Sequence, residues 1–246
     1  MVARPILGSI ALFFLAGGLL LHWFLVLSGG VNSAPENRFY FLQASTGGIA
    51  NTRNPSRWTF WAICGVDDAG HNANCGSPVP ALPFDPPRNF GTQNNVPESF
   101  IGTKTYYYLS RFMFAFYLIS FFFAHIALFT GLLALFSRLG GYLSALTTFV
   151  ALFFQVIAAA LMTAWVAKGR DAWRSAGFES KIGTILMAFA WATFACYLLS
   201  SILFCLGGTT GRESSGVRRK RSTHSTRSRG SFLDTESQRR VKDNYS

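Results

Sequence analysis

The chain has 246 residues and a formal net charge of +11, yet 13% of it is charged, 50% is apolar, 25 residues are Phe and the mean hydropathy is +0.28. Soluble domains average about 25% charged residues, so this composition excludes an ordinary soluble globular protein. The chain reads first as a membrane protein.

Four apolar blocks account for the excess. Residues 6–27, 112–136, 142–167 and 182–206 contain no Asp, Glu, Lys or Arg, and each reaches the roughly 20 residues that a helix needs to cross about 30 Å of hydrocarbon. Arg4 before the first block and Asn32-Ser33-Ala34 after it resemble a cleaved signal sequence. The apolar run exceeds the usual ~7–15 residues, however, and Pro35 would follow the cut, so the block reads as an uncleaved span. Four spans put both termini, 1–27 with its span and the tail 207–246, on one side.

Lys and Arg near span ends set the orientation. Termini inside give the cytoplasm Arg4, Arg138 in the short loop 137–141, and the basic tail. The opposing evidence is the connection 168–181, whose Lys168, Arg170, Arg174 and Lys181 then lie outside, partly offset by Asp171 and Glu179. The tail outweighs it. Residues 28–111 then form a long outer loop that holds Cys64 and Cys75. A thiol pair in an oxidising compartment normally bridges, closing a loop worth about 2–3 kcal/mol in the chain-entropy model. Cys196 and Cys205 fall within the last span and are expected to be reduced.

Within the outer loop, Ser28-Gly29-Gly30 lets the chain leave the bilayer. Phe39-Tyr40-Phe41-Leu42 and Trp58-Thr59-Phe60-Trp61-Ala62-Ile63 have the aromatic and β-branched content of strands, bounded by the turn-rich Gly47-Gly48 and Arg53-Asn54-Pro55-Ser56. A small antiparallel sheet over the membrane follows. Strand alternation would put Trp58, Phe60 and Ala62 on one face and Thr59, Trp61 and Ile63 on the other. The prolines at 78, 80, 83, 86 and 87 fix φ and remove backbone donors, which predicts an extended arm rather than a helix, anchored by Val79, Leu82 and Phe84.

Tyr106-Tyr107-Tyr108 and Arg111 form an aromatic and basic collar at the headgroup level of span two, and Trp165 and Trp173 mark the interface near the second outer connection. His22, His125 and Gln155 sit one per span with no intramembrane carboxylate. Paired ionisable groups would suggest a transport pathway; isolated ones read as interhelical hydrogen bonds or interface positions. The Ala158-Ala159-Ala160 run permits close helix packing.

No metal-ligand spacing, catalytic triad, phosphate loop or carboxylate pair stands out, and Asp67, Asp68 and His71 read as a solvated loop. The expectation is no enzyme, no cofactor, no metal and no nucleic-acid partner. The tail is too polar to fold alone. Its Arg218-Arg219-Lys220-Arg221 lies close enough to the last span to meet the anionic inner leaflet, at about 1 kcal/mol per basic residue; a topology-setting cluster is the alternative. Ser222, Thr223, Ser225, Ser228 and Ser231 beside these basic residues are candidate phosphorylation sites, where phosphate would cancel the attraction. Cys205, near the cytoplasmic end of span four, is a candidate for S-acylation or a packing residue.

Four spans, a long first outer loop, and Trp61-x-x-Cys64 followed by Cys75 resemble the claudin-type tetraspan superfamily. The closer resemblance is to its fungal branch, the Sur-seven/PalI family, carried by Phe39-Tyr40-Phe41-Leu42-Gln43, by Arg57-Trp58-Thr59-Phe60-Trp61-x-x-Cys64, by Cys75, and by the proline run through Asn89-Phe90. The resemblance covers most of residues 1–207. It implies an all-α membrane protein, a left-handed bundle of four transmembrane helices capped by a small disulfide-linked extracellular sheet.

It also implies a structural protein of static plasma-membrane compartments, the furrow-like eisosome domains seen as cortical patches, with links to cell-wall organisation, endocytosis and lipid composition. The expected partners are anionic inner-leaflet lipids, sphingolipid or sterol, further copies of the chain, eisosome scaffold proteins and cell-wall material. The PalI side of the family implies instead an accessory subunit of an ambient-pH sensing complex; its members carry a longer tail. A ligand-binding box, with a sugar-stacking tryptophan at Trp58 or Trp61, stands as the alternative use of the signature stretch. The structural core of the cap is the favoured one.

Overall fold

The computed structural model describes residues 3–209. In chain order, α1 (Ala3–Leu27) is followed by strands β1 (Leu42–Ala44), β2 (Ser56–Trp58), β3 (Ile63–Val66) and β4 (Asn72–Ala73). The short helix α2 (Pro86–Phe90) comes next, then α3 (Thr105–Ala134), α4 (Arg138–Ser175), β5 (Ser180–Ile182) and α5 (Thr184–Thr209).

The apolar blocks become α1, α3, α4 and α5, each long and apolar enough to span a membrane. In lipid a helix satisfies its backbone within itself. The four form a ring in which α3 lies between α1 and α4, and α5 between α4 and α1, every neighbour antiparallel. Outward-facing rings such as Phe13, Phe129 and Phe149 are exposed to the lipid side. Inside, small residues set the spacing: Ala151, Ala158 and Ala159 are fully buried, and a Cβ on Gly18 would come within 2.8 Å of the Cys196 Cβ across the α1–α5 seam. Ser137 starts α4 by accepting the Gly140 N–H at 2.9 Å.

Polar groups in the bundle tie helices together. The Gln155 amide donates to the Ala190 carbonyl at 3.0 Å, the Ser200 hydroxyl to the Ala11 carbonyl at 2.9 Å, and His22 Nδ1 pairs with the Tyr197 hydroxyl at 3.2 Å. His125 instead bonds the Phe121 carbonyl of its own helix at 2.8 Å and lies edge-on to Trp23.

Over one end of the bundle lies a five-stranded antiparallel sheet of order β4-β3-β2-β1-β5. The edge strand β5 comes from the second connection, with Leu42 opposite Ile182 and Ala44 opposite Ser180. One sheet therefore joins both loops on this side.

Several expectations need correction. The strand anticipated at Phe39–Leu42 begins at Leu42, because Glu36–Arg38 forms a 3-10 turn whose last bond is from the Phe39 N–H to the Glu36 carbonyl. The stretch from Trp58 to Ile63 is a hairpin, not one strand: the chain reverses over Thr59-Phe60-Trp61-Ala62. The Thr59 hydroxyl donates to the Ala62 carbonyl at 2.6 Å and accepts its N–H at 3.1 Å, a local bonding pattern that competes with continued extension. The alternation of faces expected for a single strand does not hold.

The proline arm contains no helix or strand as far as Asp85 and turns at Pro80-Ala81, where Ala81 has φ +51°; Pro86 and Pro87 then open the one-turn α2, where the missing N–H groups have no intrahelical partner to lose. Of its expected anchors Phe84 is buried, whereas Val79 is exposed and held by its backbone to the Trp61 carbonyl at 2.8 Å. The connection 168–181 is not a simple loop. Helix α4 runs on to Ser175, so its 38 residues exceed the bilayer core, and its last two turns stand in the cap. At the other end α5 continues through Gly207 and Gly208, both buried, to Thr209.

Candidate functional site

The residues singled out by sequence, Arg57 to Cys75, converge in the cap. Arg57 projects from β2 and is nearly buried. Its Nε donates to Gln43 Oε1 on β1 at 2.8 Å, and its Nη1 donates to the Gly70 carbonyl at 2.9 Å and to Asn72 Oδ1 at 3.1 Å. Its guanidinium also lies 4.2 Å from the Tyr40 ring centroid. One planar cation thus joins β1, β2 and the β3–β4 turn, a task suited to the donor fork of arginine. Burial lowers its pKa, with Tyr40 and Asp67 acting in the other direction.

Trp58 fills the centre. Its ring centroid is 5.0 Å from Phe84, 5.9 Å from Phe90 and 6.1 Å from Trp173, and its Nε1 donates to Asn89 Oδ1 at 3.1 Å. Asn89 also accepts the Asp85 N–H and donates to the Pro83 carbonyl, both at 3.1 Å. The arm is therefore folded around the end of this tryptophan, and the indole N–H has the partner a buried indole requires. Phe84 bridges from the arm to Trp165, 4.8 Å away, and lies over Gly169, where a Cβ would come within 2.9 Å of its ring.

The hairpin tip seats the cap on the spans. Phe60 stacks on Phe114 of α3 at 4.7 Å, and its N–H donates to the Ser28 carbonyl at 3.1 Å. Trp61 donates from Nε1 to the Val26 carbonyl at 2.6 Å, near the end of α1, and lies edge-on to Phe114 at 5.2 Å. Thr59 presses on Gly29, which has φ +78°; a Cβ there would stand 1.8 Å from the Thr59 hydroxyl oxygen. Only glycine fits at that position.

Cys64 and Cys75 are disulfide-bonded and close the β3–β4 hairpin. At its turn Asp67 accepts the His71 N–H at 2.6 Å, and Arg38 Nε donates to His71 Nε2 at 3.2 Å. Among the described residues no group of three or more His, Cys, Asp or Glu could hold a metal ion.

The signature thus gathers Arg57, Trp58, Phe60, Trp61 and the disulfide into one structure, with Thr59 in the turn that makes it. The indole donors of Trp58 and Trp61 and the Arg57 Nε and Nη1 groups are paired within the protein, with Trp58 buried and Trp61 half-buried. Cys196 and Cys205 are free thiols, the second exposed on α5. The basic cluster Arg218, Arg219, Lys220 and Arg221 and the hydroxyls of Ser222, Thr223, Ser225, Ser228 and Ser231 lie outside the described residues. Sequence reasoning missed Gln43, Asn72 and Asn89 as hydrogen-bond partners, and Trp173 as core. The signal for Trp173 was the spacing Trp165, Gly169, Ala172, Trp173, which continues one buried helical face past the span.

A model of the SUR7/PalI family matches residues 7–203, which takes in the cap and nearly all of the four long helices. The chain belongs to the SUR7/PalI family. It is 37% identical to the SUR7 family protein FMP45 of Saccharomyces cerevisiae over 218 residues, 87% of this chain and 70% of that one. It is 40% identical to Protein SUR7 of Candida albicans over 198 residues, 80% and 72% of the two chains. A third relative, the uncharacterized plasma membrane protein YNL194C of Saccharomyces cerevisiae, is 34% identical over 196 residues, 78% and 65%. With four spanning helices, this SUR7/PalI member is a multi-pass protein of the plasma membrane. The range of the family model contains the whole disulfide-closed cap and stops short of Cys205 and the basic tail.

Proposed function

We propose that this SUR7/PalI protein is a non-enzymatic structural organiser of plasma-membrane microdomains of the eisosome-furrow type, linked to cell-wall organisation, endocytosis and lipid composition. The observation that carries the reading is how the signature is used. Arg57, Trp58 and Trp61 spend their donors on Gln43, Asn89 and the end of α1, bonding the cap within itself and to α1 as one body. Such a body suits repeated weak contacts with neighbouring copies, scaffold proteins or wall material. The tail, with Arg218 to Arg221, adds an inner-leaflet contact, and several weak contacts together stabilise a patch. Phosphate on the neighbouring serines and threonine would weaken that contact, and an acyl chain on Cys205 would strengthen it.

A fluorescent fusion in the native cell tests the proposal. The expected outcome is immobile cortical patches with slow recovery after bleaching; a uniform, fast-recovering membrane signal would overturn it.

One observation favours a second reading, an accessory subunit of a PalI-type ambient-pH sensing complex. Glu36, buried in the cap beside β4, has neither carboxylate oxygen hydrogen-bonded, and burial pushes its carboxyl up to about 7. Its folded value lies above its unfolded one, so the native cap binds more protons between about 4.5 and 7. Stability is full below that window, falls as pH rises through it, and levels off above it. Glu36→Gln should flatten the pH dependence of the melting temperature of the purified protein between pH 4.5 and 7; a variant with the wild-type slope removes Glu36 as a sensor. Recruitment to the membrane patch only on alkaline shift would favour this reading over the organiser.

A further inference from the structure

Beside the arm, outside the signature, a cleft of about 750 Å³ opens where α3 leaves the cap, lined by Arg88, Lys104, Tyr107, Tyr108, Phe100 and Asp85 among others. A second cleft of about 480 Å³ shares Arg88 and adds Arg53 and Arg111. Four basic side chains thus line two adjoining depressions. The carboxylate within reach of Arg88 is Asp85, at 3.8 Å. Tyr107 is flanked by two guanidinia, Arg88 at 5.0 Å and Arg111 at 5.2 Å from its ring centroid. Like charges gathered on one ring are stabilised by an anion placed between them.

The level of the cleft narrows the choice of anion. Lys104 and Arg111 are the last charged residues before an uncharged run to Phe136, so they stand at the headgroup depth. From the cleft a ladder of rings descends α3 one turn at a time: Tyr108 to Phe112 at 6.4 Å, Phe112 to Phe116 at 6.2 Å, and Phe116 to Phe154 of α4 at 5.8 Å. Tyr108 and Phe112 are 50% and 55% exposed, so this strip faces lipid. The volume falls in the range of small-ligand sites, about 300–1,000 Å³.

We propose that this cleft binds the phosphate headgroup of a single anionic phospholipid from the cap-side leaflet, its acyl chains lying along Tyr108, Phe112 and Phe116. Arg88 and Lys104 hold the phosphate from two sides, and Tyr107 keeps the Arg88 and Arg111 guanidinia oriented. The proposal stands whether or not the protein forms patches.

The test uses the purified full-length protein in neutral detergent, with Arg218, Arg219, Lys220 and Arg221 changed to Gln so that the tail cannot hold the same lipid. Binding of phosphatidylinositol, phosphatidylcholine and glycerol-3-phosphate is measured by native mass spectrometry. Phosphatidylinositol should bind about tenfold more tightly than phosphatidylcholine, and glycerol-3-phosphate, which lacks the chains, at least tenfold more weakly than the lipid. Arg88→Gln and Lys104→Gln should each weaken phosphatidylinositol binding several-fold, while Lys181→Gln, an exposed basic residue on β5, leaves it unchanged. All three sites are exposed, and unchanged melting reports the fold. Equal binding of the two lipids, equal binding of the soluble phosphate, or insensitivity to both cleft variants overturns the proposal.

Discussion

The cap and the membrane bundle of this protein are held together by different physics. In the cap, specificity comes from paired polar donors and large rings: Arg57 makes three hydrogen bonds, Trp58 touches three aromatic neighbours, and a disulfide closes the outer hairpin. In the bundle, lipid is as apolar as the helices, so burial alone cannot choose a partner. Small residues at the seams and single interhelical bonds such as Gln155 to Ala190 do so instead. One consequence is that the cap depends strongly on residue identity, whereas much of the outer bundle surface tolerates any apolar side chain.

The largest effect should come from Trp58→Ala, which empties the centre of the cap. Truncating a buried Trp costs about 3–5 kcal/mol, so the variant is expected to be retained inside the cell and to melt far below the wild type in detergent. Surface delivery at the wild-type level would show that the aromatic cluster is not what holds the cap.

Next is Gly18→Leu, the equivalent test of the bundle. Even a Cβ at this position would stand 2.8 Å from the Cys196 Cβ, and overpacking costs about 1–3 kcal/mol or more. The expected outcome is a lower melting temperature with the disulfide intact, measured by thiol labelling before and after reduction. Loss of the disulfide at the same time would mean that cap and bundle fold as one unit, which breaks the comparison.

Arg57→Lys tests the polar side of the cap. A single ammonium cannot reproduce the bonds to Gln43, Gly70 and Asn72, and about 1–3 kcal/mol should be lost. The smallest effect is expected for Phe129→Leu on the lipid face, where Phe129 is 68% exposed. Its melting shift should lie within about 0.5 kcal/mol of wild type; a larger loss would locate a helix or partner contact on that face and sharpen the proposal of self-association.

Legibility followed the same division. The four spans, their antiparallel order and the pairing of Cys64 with Cys75 were readable because length, apolarity and compartment each act on their own residues. The hairpin at Thr59-Phe60-Trp61-Ala62 was not, since its aromatic composition is that of a strand and a threonine hydroxyl decides the turn. The extension of α4 was legible in part. Charges at Lys168 and Arg170 suggested a loop, but the spacing of Gly169, Ala172 and Trp173 kept the helical period.

Sequence by itself determined that this chain crosses the membrane four times, carries a disulfide-closed loop and belongs with the SUR7/PalI family. Those properties depend on composition and short motifs. Tertiary structure alone decided that β5 from the second loop would complete the sheet, that Asn89 would meet the Trp58 indole, and that Arg88 would lie over the Tyr107 ring. These contacts join residues far apart along the chain, and only the closing of the bundle beneath the cap brings them within bonding distance.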